Sequence, residues 1–495
     1  MWSAALAAFV AAWAGTSGGS DPSYLDELVA QVDETELWRA REWRVLGHYR
    51  RRPTGWKSEA DGKSFWTAKG GKRHPRHELE STLATFFFDE PTDPDVQHPQ
   101  CQFPARYAWL REQLDFDPDR LVHHDCPRFE AWRTSLGAES VSLIFADAYL
   151  NNPASMFGHT FLRLDRNLDG EGSDLLSNTV NFAAVPWTHN PILYTFLGLT
   201  GGFVGDFTTT PYYMKVAEYA DMEHRALWEY HLHLEEAQLD QLLRHLWEMG
   251  STHFMYYYFD ENCSYQLLSL LEAAEPSVHL TDRFPFWVLP TSTVRVTLKH
   301  TDFVTGASYR GSQFERMMAR RQELLHSEAQ IAKRLVEGEE TSALDALPPD
   351  RQAAILDAAV ELVQYRMDPG DAQPELKTAA HEIRTKRGAL GIQSAPAAIV
   401  PPARVEAAHR PEMVGVGAVM DGDQSLYAEL NIRPALRDLA APMDGYIAGS
   451  ALEMVAVTLR TPLEDPAAVI LEKLTVFKAQ SNVPIRPWAT RMSWK

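Results

Sequence analysis

The sequence predicts an α+β protein in several parts, and three observations carry that reading. Apolar residues fall at helical spacing among charges from Asp21 to Arg52, and Ala, Leu, Glu, Arg and Gln dominate a second helical block over about Gln313 to Arg387. Val141 to Phe145, Thr160 to Leu164 and Leu176 to Phe182 alternate with period two, the pattern of neighbouring strands. Beyond a Pro/Ala stretch the alternation returns in four more runs separated by Asp-Gly, Pro and Gly turns. A chain of 495 residues has room for about three domains at roughly 150 residues each. Its 45% hydrophobic and 23% charged residues exclude a mostly disordered, collagenous or polytopic membrane chain.

Taken in order, Met1 to Ala14 is an apolar run too short to cross a bilayer, followed by the small residues Gly15 to Ser20. Residues 1–20 therefore read as a signal peptide cleaved after Ala14, although no Lys or Arg precedes the core; the bland alternative is an Ala-rich helix. Residues 21–135 form a mostly helical region: one or two amphipathic helices to Arg52, a Gly/Lys-rich turn region from Lys57 to Arg76, and helices at His77 to Phe88 and Arg106 to Leu114. Residues 136–310 carry the three strands, a fourth at Leu227 to Leu234, and helices at Glu235 to Met249 and Ser264 to Ala274. A helical domain at 311–393 and a linker at 394–404 follow. The last part, 405–495, offers strands at Val414 to Met420, Ser425 to Arg433, Leu452 to Arg460 and Leu471 to Phe477, expected as a small antiparallel sheet or a fragment of a longer barrel.

Charge and composition narrow the function classes. Forty-seven basic against sixty-seven acidic residues give a net charge of -20, which repels phosphate backbones, and no basic run interleaves with aromatics, so nucleic acid is not expected as a partner. His231 and His233 share a strand face, but neither they nor His123, His124 and His224 have a third ligand at a completing spacing; no metal and no cofactor is expected. The Gly198 to Gly205 stretch lacks the Lys-Ser/Thr ending of a nucleotide loop. It reads as a glycine-adapted turn, with Phe196, Phe203 and Phe207 suited to the wall of a lipid-accepting groove.

The most informative segment is Phe259-Asp260-Glu261-Asn262-Cys263-Ser264-Tyr265, followed by Leu267, Leu268 and Leu271. Asp260 or Asn262 is a natural N-cap, which puts Cys263 in the first helical turn, where unpaired N–H groups and the helix dipole favour a thiolate. The bland alternative is a buried cysteine acting as a small hydrophobe. A thiolate nucleophile needs a base, and His159 stands at the head of a strand directly after Gly158, where an imidazole can face a cleft. The competing reading is an ordinary histidine at a strand end.

Several blocks in sequence resemble the Lnb N-terminal periplasmic domain family over about residues 35–300. They are Asn-Pro-Ala-Ser-Met-Phe-Gly-His-Thr-Phe-Leu-Arg at 152–163, Pro211-Tyr212-Tyr213-Met214-Lys215-Val216 with Glu218-Tyr219, Leu227-Trp228-Glu229-Tyr230, and Asp260 to Tyr265. That family is named for a bacterial lipoprotein N-acyltransferase, and the His-then-Cys order also resembles permuted papain-like (NlpC-type) folds such as the lecithin:retinol acyltransferase group, whose Cys-His pair takes acyl groups from phospholipids. The resemblance implies Cys263 as nucleophile, His159 as base and Asn181, in preference to Asn178, as the residue orienting the imidazole. Asn262 or Tyr256 would support the oxyanion, and Met156, Phe157 and Phe203 would line the substrate groove. It implies a phospholipid acyl donor, a lipoprotein N-terminus as one acceptor, work at a membrane surface, and a periplasmic location with outer-membrane association through the C-terminal β region. A Cys-His hydrolase (a lipase, or a peptidoglycan amidase or peptidase) and a non-catalytic lipid- or partner-binding protein are the alternatives. The family's namesake has a membrane-spanning C-terminal part, whereas this chain has helices and a β-rich segment. Cys101 and Cys126 lack zinc spacing, and in an exported chain they are expected to pair, closing a loop of about 26 residues worth roughly 3 kcal/mol and leaving Cys263 reduced.

Overall fold

The computed structural model describes residues 21–91, 93, 95–149, 156–166, 173–300, 303–339, 342–367, 373–422, 424–482, 484–489 and 493. The signal peptide expected at 1–20 and residues 151–155 of the loop before His159 lie outside the described residues. The chain divides into two compact units. The first comprises Met1–Ser142, Phe161–Thr210 and Leu232–Val288, the second Leu143–Thr160, Pro211–His231 and Leu289–Lys495.

The first unit opens on the helix Pro22–Thr35, capped by Asp21, whose carboxylate accepts the Ser23 N–H at 2.9 Å. The helical pattern predicted to run to Arg52 stops early, because β1 (Tyr49–Arg52) and β2 (Gly55–Ser58) form an antiparallel hairpin. Pro53 and Gly55, the latter at φ 118°, turn the chain there, and this local chemistry overrides the apolar spacing. Helices Pro75–Thr85, Pro104–Leu114 and Pro127–Leu136 each begin on proline, whose fixed φ suits the first helical position. The apolar faces of the first two bury Trp43, stacked on Trp109 at 5.8 Å, together with Leu79, Leu83, Phe86 and Leu110.

Cys101 and Cys126 form a disulfide in this unit. Reduction should cost about 3 kcal/mol through the restored freedom of the unfolded chain, read as a lowered urea midpoint for the reduced protein.

A buried ionic network ties the N-terminal helices to the rest of the unit. Arg106, 1% exposed, donates to Glu78 at 3.1 Å and sits 3.7 Å from Glu248, with its guanidinium over Phe65 and Phe103. The other oxygen of Glu248 accepts the N–H groups of Ala105 and Arg106 at 2.8 and 3.0 Å. A carboxylate 142 residues away thus caps helix Pro104–Leu114, which has no side-chain cap of its own.

The remaining strands are β3 (Ser140–Ala146), β4 (His159–Asp165), β5 (Asn178–Val185), β6 (Phe203–Pro211), β7 (Leu227–Leu232), β8 (Phe254–Tyr256) and β9 (Val304–Arg310). In the first unit β8, β6, β5 and β4 are neighbours in that order, with β6 antiparallel to β8 and β5 antiparallel to β4. The segment expected as a glycine turn at 198–205 is the end of helix Pro191–Thr200 and the start of β6. Asn190 caps that helix, and Gly201 at φ 77° closes it. Helix Cys263–Ala274 packs against β5, helix Glu236–Met249 and the short helix Arg41–Leu46.

In the second unit β3, β7 and β9 are neighbours in that order. Helices Gln313–Gln322, His326–Val336, Pro349–Arg366 and Pro374–Ala389 pack around Ile331, Leu356, Leu362 and Ile383, the bundle the composition predicts. Strands β10 (Met413–Met420), β11 (Leu426–Arg433), β12 (Ala435–Arg437), β13 (Ser450–Pro462) and β14 (Ile470–Ser481) make an antiparallel sheet in the order β10-β11-β13-β12, with β14 on β13. Four of these strands follow the predicted alternation; β12 is too short to show one. Among the described residues this sheet is open and no barrel closes.

Candidate active site

The helix that begins at Cys263 is the centre of the first unit. Asn262 caps it, its side-chain oxygen accepting from Tyr265 N–H at 3.2 Å and from Ser264 Oγ at 2.8 Å. Its amide nitrogen donates to the carbonyls of Tyr258 and Val288 at 2.9 and 2.8 Å. Both N–H groups of that amide are engaged, so Asn262 positions the turn and has no donor left for an oxyanion. The sequence pattern suggested a helix with one apolar stripe. All twelve of its residues are buried, a helix enclosed on every side.

Cys263 occupies the first helical position, is 2% exposed and is the chain's free cysteine. Its neighbour is Tyr256, at the end of β8, whose hydroxyl is hydrogen-bonded to both the backbone and the side chain of Cys263. Burial first, and the sulfur second, push the Tyr256 phenol far above its ordinary range, so it stays a neutral O–H. Phe182 of β5 stacks on the Tyr256 ring at 6.0 Å and 14°, fixing its plane. Phe203, expected in an open groove wall, is instead fully buried, paired with Tyr256 across β6 and β8 and edge-on to Trp187.

Two carboxyls lie close to this turn. Burial pushes Glu261 and Glu59 upward, and for Glu261 the Glu59 charge adds to it while Arg50 opposes. A protonated Glu261 matters for chemistry, since a full negative charge two residues before Cys263 would oppose a thiolate.

Polar groups inside the helix separate structural from unexplained ones. Ser264 is bonded to Asn262, Ser269 to His48 Nδ1 at 2.9 Å, Glu272 to Thr281 and Arg41, and Tyr265 to Glu59. Gln266, 0% exposed, differs: among the described residues neither its amide oxygen nor its nitrogen has a hydrogen-bond partner. An unsatisfied buried amide costs about 1–3 kcal/mol. It sits three residues after Cys263, on the same helix face. A single glutamine in a Leu-rich helix carries no local sequence signal of its burial.

Asn181 lies buried on β5, the strand that packs against this helix, and accepts from Thr208 Oγ1 through its carbonyl at 3.4 Å. Asn178, the competing residue, is half-buried and donates to the Leu136 carbonyl at 3.3 Å, which accounts for its amide structurally.

His159, in the second unit, begins β4 and is 8% exposed, so it is buried rather than open at a strand edge. Its ring lies 5.7 Å from that of Tyr219. Tyr219 belongs to a π-helical turn, Ala217–Met222, and carries the Arg225 guanidinium over its face at 4.7 Å. Single π turns concentrate at functional sites, and no sequence period announces them. Gly158 stands at φ 94°, and a Cβ there would lie 2.4 Å from the Phe145 ring, so only glycine delivers the chain to His159 at this point. Met156 and Phe157, expected in a groove, are buried at 4% and 6% exposure, and the Met156 carbonyl faces the guanidinium of Arg437 at 3.5 Å.

Residues 128–300 match the Lnb N-terminal periplasmic domain family, and they hold Cys263, His159, Asn181 and the four sequence blocks quoted above. Residues 35–113, 307–399 and 402–495 each match a domain family of unknown function: DUF7843, DUF7842 and DUF7840. No curated protein and no solved structure matches the chain. The Lnb-type domain is a periplasmic family, which places the chain in the cell envelope. Among the described residues no helix is long and apolar enough to cross a membrane.

Proposed function

We propose that this chain, through its Lnb-type periplasmic domain, is a thiol-dependent acyltransferase of the bacterial envelope, with 136–310 as a permuted papain-like Cys-His domain. The observation that carries the reading is the free cysteine at the first position of a capped, buried helix, with a neutral tyrosine hydroxyl on its sulfur, inside the family match. The helix start favours thiolate over thiol. His159 takes the Cys263 proton as sulfur attacks a phospholipid ester carbonyl. The C–S bond forms, the ester C–O bond breaks, and the lysophospholipid alkoxide leaves with the proton from the imidazolium. An amine such as a lipoprotein N-terminus then attacks the thioester, forming the amide as the C–S bond breaks, and its proton passes through His159 back to sulfur. Asn181 orients the imidazole. Tyr256 O–H and the Gln266 amide supply donors where charge develops on the carbonyl oxygen. The near-complete burial of Cys263 favours transfer over hydrolysis, because a thioester formed there is shielded from water.

Product analysis with a defined diacyl phospholipid tests the reading. N-acylated amine is expected when a lipopeptide acceptor is present; free fatty acid irrespective of acceptor would make the protein a hydrolase, and no acyl chemistry at all would make it a binding protein.

Gln266 offers a second test. Gln266→Leu should leave stability equal or higher, since it removes an unsatisfied amide, yet slow acyl-enzyme formation by about 10²-fold. An unchanged rate would assign the amide to packing alone.

A further inference from the structure

The first unit holds a cavity of about 570 Å³ that is lined in part by Tyr265, Ser269 and Glu272, one face of the helix that starts at Cys263. Cys263 precedes Tyr265 by two residues, about 200° around an ideal helix, so the cavity lies on the face away from the sulfur. Five arginines line it: Arg41, Arg44, Arg50, Arg51 and Arg52. In a chain of net charge -20 that concentration of guanidinium calls for a cause.

Two of the five are used internally. Arg41 binds the Pro276 carbonyl, Asp282 and Glu272, and Arg50 binds Glu59, Asp260 and the Phe284 carbonyl while covering the Tyr265 ring at 4.5 Å. These contacts consume the cavity's three carboxylates, Glu59, Glu272 and Asp282. Arg44 contacts no carboxylate. It donates to the carbonyls of Ala40 and Arg39 and lies over Trp56 at 4.7 Å. Burial, then the like charge of Arg41, lower its pKa, against the opposing charges of Asp282 and Glu42. Arg51 and Arg52 are exposed on β1 and make no ion pair among the described residues; Arg51 stands opposite Trp56 across the hairpin. Five arginines against three carboxylates leave the lining with two positive charges in excess, and three of its arginines, Arg44, Arg51 and Arg52, make no ion pair among the described residues.

We infer that the cavity is a recognition site for a phosphate-bearing headgroup, held by Arg44, Arg51 and Arg52 against the indole of Trp56. Guanidinium forks match phosphate oxygens two at a time, and several of them together suit a group that carries one to two negative charges. A cavity of this size admits a small molecule or a single headgroup and no nucleic-acid strand. The inference stands on the arginines alone and does not require thiol chemistry at Cys263.

The test uses the full, oxidised chain. Glycerol 3-phosphate in solution probes a free phosphate ester, phosphatidylglycerol vesicles probe a lipid headgroup, and phosphatidylcholine vesicles, whose phosphate is masked by choline, serve as control. Saturable binding to glycerol 3-phosphate or to phosphatidylglycerol vesicles is expected, and which of the two binds identifies the source. That binding should weaken as salt rises from about 50 to about 300 mM. Arg51→Gln/Arg52→Gln should lose about tenfold or more in affinity at an unchanged melting temperature, and Arg44→Gln should do the same as an independent variant. Cys263→Ala should bind as the wild type does, which separates this site from the acyl-transfer chemistry. Binding to neither probe, or affinity within about twofold of wild type in both arginine variants, overturns the inference.

Discussion

Cys263→Ala is expected to abolish both acyl-enzyme formation and N-acyl transfer, a loss of about 10⁴-fold or more, because no other free thiol exists in the chain to replace the nucleophile. Cys263→Ser should fare little better, since a hydroxyl is a far weaker acid and a poorer nucleophile than the thiol it replaces. The alanine variant should stay folded, as the lost volume is one sulfur atom beside Tyr256, and a melting curve alongside the assay checks this. Turnover by the alanine variant above about 1% of wild type would remove Cys263 from the mechanism.

Arg106→Ala should have the largest effect on stability, about 3–5 kcal/mol, because it strands Glu78 and Glu248 as buried charges with 1% and 0% exposed side chains. It also weakens the tertiary cap on helix Pro104–Leu114, since Glu248 must then hold the Ala105 and residue-106 N–H groups without a cation to position it. Urea unfolding measures the loss. Adding Glu78→Gln to Arg106→Met should recover part of it, since the volume is restored and one stranded charge is neutralised. A cost below about 1 kcal/mol for Arg106→Ala would mean that the network is hydrated and not the anchor described above.

The legible parts of the fold were those that a short sequence period encodes. The alternation of Val141–Phe145, Thr160–Leu164 and Leu176–Phe182 marks β3, β4 and β5, although β3 and β4 are buried on both faces. Four C-terminal strands were visible by the same period, although most residues of β10 and β14 are exposed. The β1–β2 hairpin was hidden, since Tyr49 to Arg52 carries three arginines and no apolar alternation; its strand character comes from the Pro53-Thr54-Gly55 turn. β6 was hidden by the glycines at its start, and Gly205 is required there because a Cβ would lie 2.4 Å from the Phe182 ring. Helix Glu236–Met249 was legible in the sequence, yet its most consequential residue, Glu248, was not. Ala105 and Arg106, which it holds, lie 143 and 142 positions away, and no local pattern reports contacts of that length.

For the candidate site, the helix start at Asn262-Cys263 was legible because capping is local chemistry. The tyrosine beside the sulfur could be suspected only as one of several in Tyr256-Tyr257-Tyr258, and its place at the end of β8 singles it out. Gln266 and the arginine cavity had no sequence signal: one is a buried polar residue without a partner, the other joins residues some 200 positions apart.

The proposed chemistry turns on a covalent acyl-thioester at Cys263. Its most direct measurement is mass spectrometry of the wild-type chain after incubation with a phospholipid of defined acyl length, followed by peptide mapping with and without hydroxylamine. One acyl chain is predicted on the peptide that contains Cys263, removed by neutral hydroxylamine as a thioester is. An adduct on any other residue, or product formed with no adduct at Cys263 under conditions that trap the intermediate, would contradict it.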